Sequence, residues 1–456
     1  MGWKWNASKR VVAAEFRAAR WLARNPEWML APSAVAAGAC TLGPTTTGYV
    51  LGGAAGATGL WYRGHPDSFD TLAAPVLRAW QRRWFGAYSG GRWRDLMDVH
   101  KLTTEHRRKK VTNYPRVVRV RSYSPSIDTV LVKLAKGQSP MHFARQAEEL
   151  AHSIEAERVA IELMKPGYVA LVVQRDEPFT EVIPAPDMPE HSEDVNLRAV
   201  LLGEDEYGGD WTEPIQGTHT LTAGGTGSGK NSVAFAKLRS MAPLIRDGIV
   251  RLWVCDPKYL EFAAIKPITE NRYADDAGDC LELIEMWVND MERTQKRMQR
   301  AGLRSVQPSR EYPLNLLIVD EIGSLVAYRP EYAREITALL ARGTSMGRAT
   351  LHAADAYIQE PDKDTLKIRD LFPNRVCLRA TSPTHPDMVL GEGARERGAI
   401  ADQIPAVPET AGIGYRTDER SRVPRRVRAA YTTDENIREL VEFVRNGQTG
   451  SIRSIA

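Results

Sequence analysis

The stretch GGTGSGKNS, residues 224–232, has the residue types and spacing of a loop that binds phosphate groups. Its glycines let backbone N–H groups wrap around phosphate oxygens, and the N-terminus of the following helix adds positive potential. The lysine of this stretch is placed to reach the β- and γ-phosphates of ATP. The predicted nucleotide contacts are Gly224, Gly225, Thr226, Gly227, Ser228, Gly229, Lys230, Asn231 and Ser232.

One position departs from the usual phosphate-binding pattern. Where that pattern has a Ser or Thr that holds Mg²⁺, this chain has Asn231. An asparagine oxygen can ligate Mg²⁺, but its longer side chain would have to fold back in a crowded helical turn. Ser232 cannot take over directly, because successive residues of a helix point about 100° apart. We therefore predict ATP hydrolysis with weakened Mg²⁺ binding, and Asp320 and Asn231 are the candidate metal-binding residues.

A second stretch, PLNLLIVDEIGS at residues 313–324, supplies the acidic residues that phosphoryl transfer needs. Its apolar run predicts a strand that is buried on both faces of a parallel sheet. Asp320 follows at the carboxyl end of this strand, where ligands bind in such sheets. An aspartate there can hold Mg²⁺, and the next residue, Glu321, can polarise the attacking water.

The elements that must position these residues follow the order strand, glycine loop and amphipathic helix over residues 218–241. This order predicts an α/β motor domain with a parallel sheet over residues 197–456. Upstream, two alternating strands, a helix and two more strands predict a small ββαββ α+β domain at residues 115–176. It carries no catalytic constellation, which favours an adaptor role. A proline- and acid-rich linker is predicted at residues 177–196.

The N-terminal region, residues 1–110, is predicted to meet an anionic partner such as a membrane or nucleic acid. Up to Arg121 the chain has 20 Lys and Arg residues against 7 Asp and Glu residues. No charge occurs from Trp28 to Tyr62, and basic residues flank both ends of this stretch. The pattern predicts an α-helical membrane hairpin at about residues 28–62, with both ends facing the cytoplasm. A buried or flexible Ala- and Gly-rich segment is the alternative.

Residues 77–94 follow the charge-free stretch and predict an amphipathic helix. Trp80 and Trp84 lie one helical turn apart, with arginines between them. Such a helix either lies on a membrane surface or packs on its own domain.

The composition excludes a disulfide-rich scaffold and a cysteine- or histidine-based metal centre. The chain has 456 residues, of which 43% are hydrophobic and 26% are charged, as in ordinary globular proteins. Its cysteines are far apart and lack metal-ligand or redox-motif spacing, and its histidines do not cluster.

Taken together, these motifs resemble the FtsK/SpoIIIE family of DNA translocases. They are most similar to the compact members that actinobacterial conjugative plasmids and integrative elements carry. The resemblance covers about residues 197–416. It rests on the stretches HTLTAGGTGSGKNS, WVCDPKYLEF (253–262), LLIVDEIGSL and QEPDKDTLKIRDLFPNRVCLRATSPTHPDMVLGEGARERGA (359–399).

The resemblance implies a RecA-like P-loop NTPase motor that uses ATP and Mg²⁺ and forms a ring, expected to be a hexamer, around double-stranded DNA. It also implies a place at the cytoplasmic membrane, with the motor facing the cytoplasm. By position in the motifs, Lys230 corresponds to the phosphate lysine and Asp320 to the metal-binding acid. Glu321 corresponds to the catalytic base and Gln359 to the sensor of the γ-phosphate.

The arginine that such rings supply from a neighbouring subunit does not follow the family pattern. The family places it three residues before a glycine, where this chain has Thr344 before Gly347. Arg342 and Arg348 lie nearby and are the candidates for this trans-acting arginine.

Two alternatives to a DNA translocase remain at this point. A protein-export ATPase that resembles EccC of type VII secretion shares the superfamily, but such proteins usually join several ATPase modules, and this chain has one glycine loop followed by Lys. A degenerate nucleotide-binding scaffold is favoured by Asn231 and Thr344.

The basic run at residues 291–310 is either a DNA contact or a solvated helix face. We expect no winged-helix DNA reader after the motor, so that the chain either moves DNA without selecting its sequence or depends on a partner protein for specificity.

Overall fold

The computed structural model of the chain divides into two compact units, residues 1–77 and residues 78–456. It describes residues 43–106, 111–259, 261–327, 330–361, 368–417 and 424–453, together with residues 37, 40 and 41.

The first unit contains helices α1 (Pro44–Gly64) and α2 (Pro66–Leu72). The Trp61 ring meets the Phe69 ring edge-on, with centroids 5.6 Å apart. Helix α1 covers the second half of the predicted membrane hairpin at residues 28–62, whereas most of the first half lies outside the described residues. Among the described helices, none combines the length and the apolar character that a bilayer crossing requires. The hairpin therefore stays a prediction.

Helices α3 (Ala74–Phe85) and α4 (Gly90–Val99) follow. Trp80 and Phe85 of α3 are 53% and 55% exposed, and their rings lie 5.5 Å apart. The stretch predicted as one helix at residues 77–94 is therefore divided between α3 and α4 by a turn at residues 86–89, and α3 places aromatic side chains on the protein surface.

The segment with the predicted ββαββ order forms a four-stranded antiparallel sheet with the order β3-β4-β6-β5. Inward-facing residues of β4, such as Val130 and Val132, are fully buried in its core, because successive strand residues point to opposite faces. The predicted single helix is instead two short helices. The elements are β1 (Thr104–His106), β2 (Val111–Asn113), β3 (Arg116–Ser122), β4 (Ile127–Lys133), α5 (Pro140–Ala144), α6 (Ala147–Ser153), β5 (Arg158–Lys165) and β6 (Tyr168–Gln174).

The motor region is built on one ten-stranded sheet with the order β11-β10-β12-β13-β9-β14-β15-β16-β7-β8. The first six strands of this order, from β11 through β9 to β14, are parallel to one another. The last four strands, β15, β16, β7 and β8, pair antiparallel. The strands are β7 (Val200–Asp205), β8 (Asp210–Glu213), β9 (Thr220–Ala223), β10 (Val250–Cys255), β11 (Tyr273–Ala274), β12 (Leu314–Val319), β13 (His352–Ile358), β14 (Asn374–Leu378), β15 (Ile413–Thr417) and β16 (Arg425–Ala429).

Both faces of this sheet are buried, as the apolar run of β12 predicts. Leu317 and Val319 belong to one hydrophobic core, and Leu316 and Ile318 belong to the other. The helices are α7 (Lys230–Ser240), α8 (Ala242–Arg246), α9 (Ala277–Arg300), α10 (Ile322–Ala327), α11 (Pro330–Gly347), α12 (His385–Leu390) and α13 (Asp434–Arg453).

The basic run at residues 291–310 begins on the last turns of α9. Arg293, Lys296 and Arg300 are exposed there. A DNA contact and a solvated helix face both require exposed side chains, so both interpretations of this run stay predictions.

The predicted linker packs on the motor sheet. Phe179 is 6% exposed and belongs to the core on one face of the sheet. Arg428 of β16 donates hydrogen bonds to the carbonyls of Phe179 at 3.0 Å and of Glu181 at 2.9 Å. A buried ion pair between Arg158 of β5 and Glu206 joins the smaller sheet to the motor sheet. The two sheets accordingly lie in one compact unit.

The parallel strands bring several polar residues to one edge of the motor sheet. Because these strands run in the same direction, their carboxyl ends lie side by side. The residues that directly follow β9, β10, β12, β13 and β14 are Gly224, Asp256, Asp320, Gln359 and Arg379.

Candidate nucleotide-binding site

The predicted phosphate-binding loop joins β9 to α7. Gly227 and Gly229 have φ of 71° and 91°, in the left-handed region that favours glycine. A Cβ atom on Gly229 would lie 2.4 Å from the backbone nitrogen of Gly412. Gly412 also donates a hydrogen bond to the Ser228 carbonyl at 2.8 Å, so the segment before β15 braces the loop. Glycine is therefore required at position 229 by both conformation and close approach.

Lys230 is the first residue of α7 and is buried. Its Nζ donates a hydrogen bond to the Gly224 carbonyl at 2.8 Å, so that the ammonium group lies back across the loop. Burial lowers the pKa of Lys230, while the carboxylates of Glu321 and Asp320 oppose this shift. The predicted phosphate lysine and the predicted acidic pair are therefore close enough to interact.

Four carboxylates lie opposite the loop and form what we call the acidic wall: Asp256, Glu261, Asp320 and Glu321. Burial raises the pKa of Asp320 to about 7, and repulsion from Asp256, Glu261 and Glu321 adds to the effect. Asp256 is fully buried, and its Oδ2 accepts hydrogen bonds from Phe262 N and Tyr273 Oη, both at 2.9 Å. The sequence predicted Asp320 and Glu321 here, but it did not predict Asp256 or Glu261.

Glu321 is held by partners on both carboxylate oxygens. Its Oε2 lies 3.1 Å from Lys258 Nζ, and its Oε1 accepts a hydrogen bond from Gln359 N at 3.2 Å. Its φ of 48° is left-handed, which aims the residue away from the line of β12. The structure thus brings the predicted base and the predicted sensor together through the backbone of Gln359.

The side chain of Asn231 contacts the acidic wall. Its Nδ2 donates a hydrogen bond to Glu261 Oε2. The bond uses the amide nitrogen, and only the amide oxygen is a possible cation ligand. The predicted contact between Asn231 and Mg²⁺ stays a prediction, and Glu261 enters the site as a residue that the sequence did not single out.

A divalent cation fits the acidic wall electrostatically. Burial and, to a smaller extent, the neighbouring carboxylates raise the pKa of Asp320, and a cation beside this group would relieve the repulsion. In the part of the chain that the structure describes, no group of three or more His, Cys, Asp or Glu side chains is arranged as a metal site. Mg²⁺ would therefore be held by Asp320 together with phosphate oxygens and waters, a ligand set that suits this ion.

The two predicted trans-acting arginines lie away from the loop of their own subunit. Arg342 on α11 forms an ion pair with Glu292 on α9. Arg348 precedes β13 and lines a cavity with Thr218 and Asn374, at the amino ends of the strands. That edge is opposite the phosphate-binding loop.

In contrast, Arg379, which the sequence analysis missed, contacts the loop directly. Its place directly after a parallel strand was the signal that could have revealed it.

The chain is similar to known families and proteins over most of its length. Residues 73–175 match the model of the actinomycete conjugal transfer protein N-terminal domain, and residues 195–385 match the model of the FtsK/SpoIIIE family. The chain is 26% identical over 349 residues to DNA translocase FtsK of Corynebacterium efficiens, a match that covers 70% of this chain and 35% of that protein. It is 23% identical over 348 residues to DNA translocase FtsK of Tropheryma whipplei, covering 71% of this chain and 45% of that protein.

Among solved structures, the chain is similar to the monomer form of the pCW3 conjugation coupling protein TcpA with ATPgS. That similarity has 16% identity and a TM-score of 0.49, and it covers 77% of this chain and 98% of the other. The chain spans 35% and 45% of the length of the two curated relatives named above. The two family models match successive parts of the sequence, so this chain is similar to an actinomycete conjugal transfer N-terminal domain followed by a region of the FtsK/SpoIIIE family.

Proposed function

We propose that this protein is an ATP-driven translocase of double-stranded DNA that acts in conjugative transfer of a plasmid or integrative element. The observation that carries this proposal is that Lys230 of the glycine loop lies near the carboxylates of the acidic wall, in a region that matches the FtsK/SpoIIIE family. The curated relatives are named DNA translocases, which supports DNA as the substrate. The match of residues 73–175 to a conjugal transfer domain supports the role in transfer.

In this proposal ATP binds with its phosphates on the loop backbone and on Lys230. Mg²⁺, when bound beside Asp320, neutralises charge on the phosphates. Glu321 orients the attacking water and accepts its proton, after the Lys258 ammonium has released one of its oxygens. The backbone N–H of Gln359 holds the other oxygen of Glu321, so a shift of β13 on nucleotide binding would move the base.

The position of the arginines supports the proposal of a ring of identical subunits, expected to be a hexamer. Arg348 lies at the amino ends of the strands and cannot serve the loop at their carboxyl ends in its own subunit. A neighbouring subunit in a ring would bring Arg342 or Arg348 to the nucleotide. The ring would encircle DNA and would contact mainly phosphates, which makes binding tolerant of sequence and dependent on salt.

The test of this function is displacement of a triplex-forming strand from duplex DNA by the full chain, with Lys230→Ala as the control. We expect ATP-dependent displacement by the wild type, and none by Lys230→Ala. Stimulation of hydrolysis by an export-signal peptide and not by DNA would favour the EccC-like alternative. The alternative of a scaffold without hydrolysis is supported by the Lys258–Glu321 ion pair and the Asn231–Glu261 contact, which occupy side chains of the site. ATP binding without any hydrolysis would establish this alternative.

We further propose that the N-terminal region holds the protein at the cytoplasmic membrane, with the motor facing the cytoplasm. The charge-free stretch with basic flanks and the exposed Trp80 and Phe85 support this placement. The full chain should fractionate with membranes, and deletion of residues 1–62 should release most of it. Recovery of the full chain entirely in the soluble fraction at moderate salt would contradict the proposal.

A further inference from the structure

Arg379 is attached to the phosphate-binding loop through both its main chain and its side chain. It follows β14, which pairs in parallel with β9, the strand that leads into the loop. The Arg379 carbonyl accepts a hydrogen bond from Gly225 N at 2.9 Å. Its Nη2 donates a hydrogen bond to the Thr226 carbonyl at 2.5 Å. The guanidinium therefore lies in the same subunit as the loop that it contacts.

The guanidinium lies over the glycine part of the loop. Its Nη1 is 4.0 Å from the position of a Cβ atom on Gly225, and its Nη2 is 3.9 Å from that of a Cβ atom on Gly227. These two glycines flank Thr226 in the stretch that wraps phosphate oxygens in loops of this kind. A phosphate bound there would lie within a side-chain rotation of Arg379.

The charge of Arg379 has no acidic partner within the described ranges of the chain. Other arginines of this region have one: Arg375 pairs with Asp370, and Arg395 pairs with Asp402. Arginine is always protonated, and its strongest hydrogen bonds are to carboxylates and phosphates. A neutral carbonyl such as that of Thr226 is a weaker partner, so a phosphate group would compete successfully for the guanidinium.

We propose that Arg379 is a cis-acting catalytic residue, which leaves the Thr226 carbonyl and binds the phosphates of the ATP held by its own loop. This inference rests on the proposed ATP hydrolysis. In that reaction the water oxygen bonds to the γ-phosphorus, the bond from phosphorus to the β–γ bridging oxygen breaks, and its electron pair leaves with ADP. Glu321 accepts the proton of the water. Arg379 transfers no proton and stabilises the charge that develops on the phosphates.

The first test measures binding of ATPγS and ADP and the rate of ATP hydrolysis by the full chain. Arg379→Ala should slow hydrolysis on the order of 10²-fold. It should also weaken ATPγS binding about tenfold, since a charged hydrogen bond is lost. Arg379→Lys should recover only part of both, because lysine keeps the charge and lacks the planar fork. Arg375→Ala, from the same strand, should leave hydrolysis within about twofold. Wild-type binding and hydrolysis by Arg379→Ala would overturn the proposal.

The second test separates a cis-acting from a trans-acting arginine. Lys230→Ala subunits are mixed with Arg379→Ala subunits, and hydrolysis is measured in the mixed rings. If Arg379 acts on its own loop, neither subunit has a complete site, and mixing restores nothing. If it acted on a neighbour, the intact loop of one variant would receive the intact arginine of the other, and restored hydrolysis would overturn the proposal.

The failure of the proposed function would look different from the failure of this inference. If the wild type binds ATPγS but shows no hydrolysis, the motor function fails. The ratio of the ATPγS affinities of wild type and Arg379→Ala still shows whether Arg379 contacts the phosphates. If the wild type binds neither ATPγS nor ADP, both are overturned.

Discussion

The two sides of the nucleotide site are specified by the chain in different ways. The phosphate-binding loop is one continuous stretch, and its shape depends on glycines with left-handed φ and on hydrogen bonds from neighbouring strands. The acidic wall gathers carboxylates from the ends of β10 and β12, which are far apart in sequence. The loop offers donors and one ammonium group, whereas in the wall burial, together with repulsion from neighbouring carboxylates, raises the pKa of Asp320 to about 7. The departure from the family pattern, Asn231, lies where the two sides meet, through its contact with Glu261.

Among substitutions in the acidic wall, Asp320→Asn should have the largest effect on catalysis. Removing the carboxylate that we propose binds Mg²⁺ should reduce ATP hydrolysis by a factor on the order of 10³. The same change should raise the melting temperature of the nucleotide-free protein above pH 7, because it removes a buried charge that its neighbours repel. Opposite changes in activity and stability would identify the wall as a site kept under electrostatic strain. Equal loss of both would contradict this view.

The pH dependence of stability follows from the same carboxylate. The pKa of Asp320 is raised from 3.8 to about 7, so between these values the folded protein binds more protons than the unfolded chain. The contribution of Asp320 to stability therefore falls as pH rises through this window. Asp247→Asn is a matched control, since Arg246 lowers the pKa of Asp247 and its charge stabilises the fold. This control should lower the melting temperature at neutral pH, and thermal unfolding at several pH values measures both.

Gly229→Ala should break the loop side of the site. Its φ of 91° is strained for alanine, and the added Cβ would lie 2.4 Å from Gly412 N. We expect ATP affinity to fall at least about tenfold, because the strain displaces the backbone that holds the phosphates. Gly217→Ala is the control, with a φ of 78° and no atom within 4 Å of the added Cβ. It should lower stability and leave ATP affinity unchanged, whereas an equal loss of affinity in both variants would argue against the bracing role of Gly412.

Asn231→Ser should have the smallest effect, and it tests the contact between the phosphate-binding loop and the acidic wall. A serine hydroxyl can contact Mg²⁺ directly, so the Mg²⁺ concentration for half-maximal hydrolysis should fall roughly threefold. Glu261→Gln tests the partner of Asn231. If the pair acts as a unit, the effects of the two substitutions on the Mg²⁺ requirement should not add in the double variant. Simple additivity would show that the Asn231–Glu261 hydrogen bond has no part in metal binding.

The sequence predicts the loop side of this site far better than the wall. The glycines and Lys230 form a local pattern whose geometry follows from backbone chemistry, and Asp320 follows an apolar run that must be a buried strand. No local sequence pattern indicates that Lys258 pairs with Glu321 or that Glu261 accepts a hydrogen bond from Asn231. Lys258 and Glu261 come from the turn after β10, and their partners come from other parts of the chain.

The remainder of the fold shows the same limit. The strand order of the smaller sheet follows from alternating patterns, but the packing of the linker does not. Arg428 fixes that segment to the motor sheet through the carbonyls of Phe179 and Glu181, and a proline- and acid-rich sequence alone predicts only an irregular connection. Arg379 was missed for a similar reason, since its role depends on which strand lies beside β9.

The most direct test of the central claim, a working ATPase in spite of Asn231, is steady-state phosphate release by the full chain over a wide range of Mg²⁺ concentrations. It is measured with and without duplex DNA, and in parallel with Lys230→Ala. The account predicts hydrolysis that DNA stimulates, that saturates only at raised Mg²⁺ and that Lys230→Ala abolishes. ATP binding without Lys230-dependent hydrolysis, even with DNA and excess Mg²⁺, would contradict it.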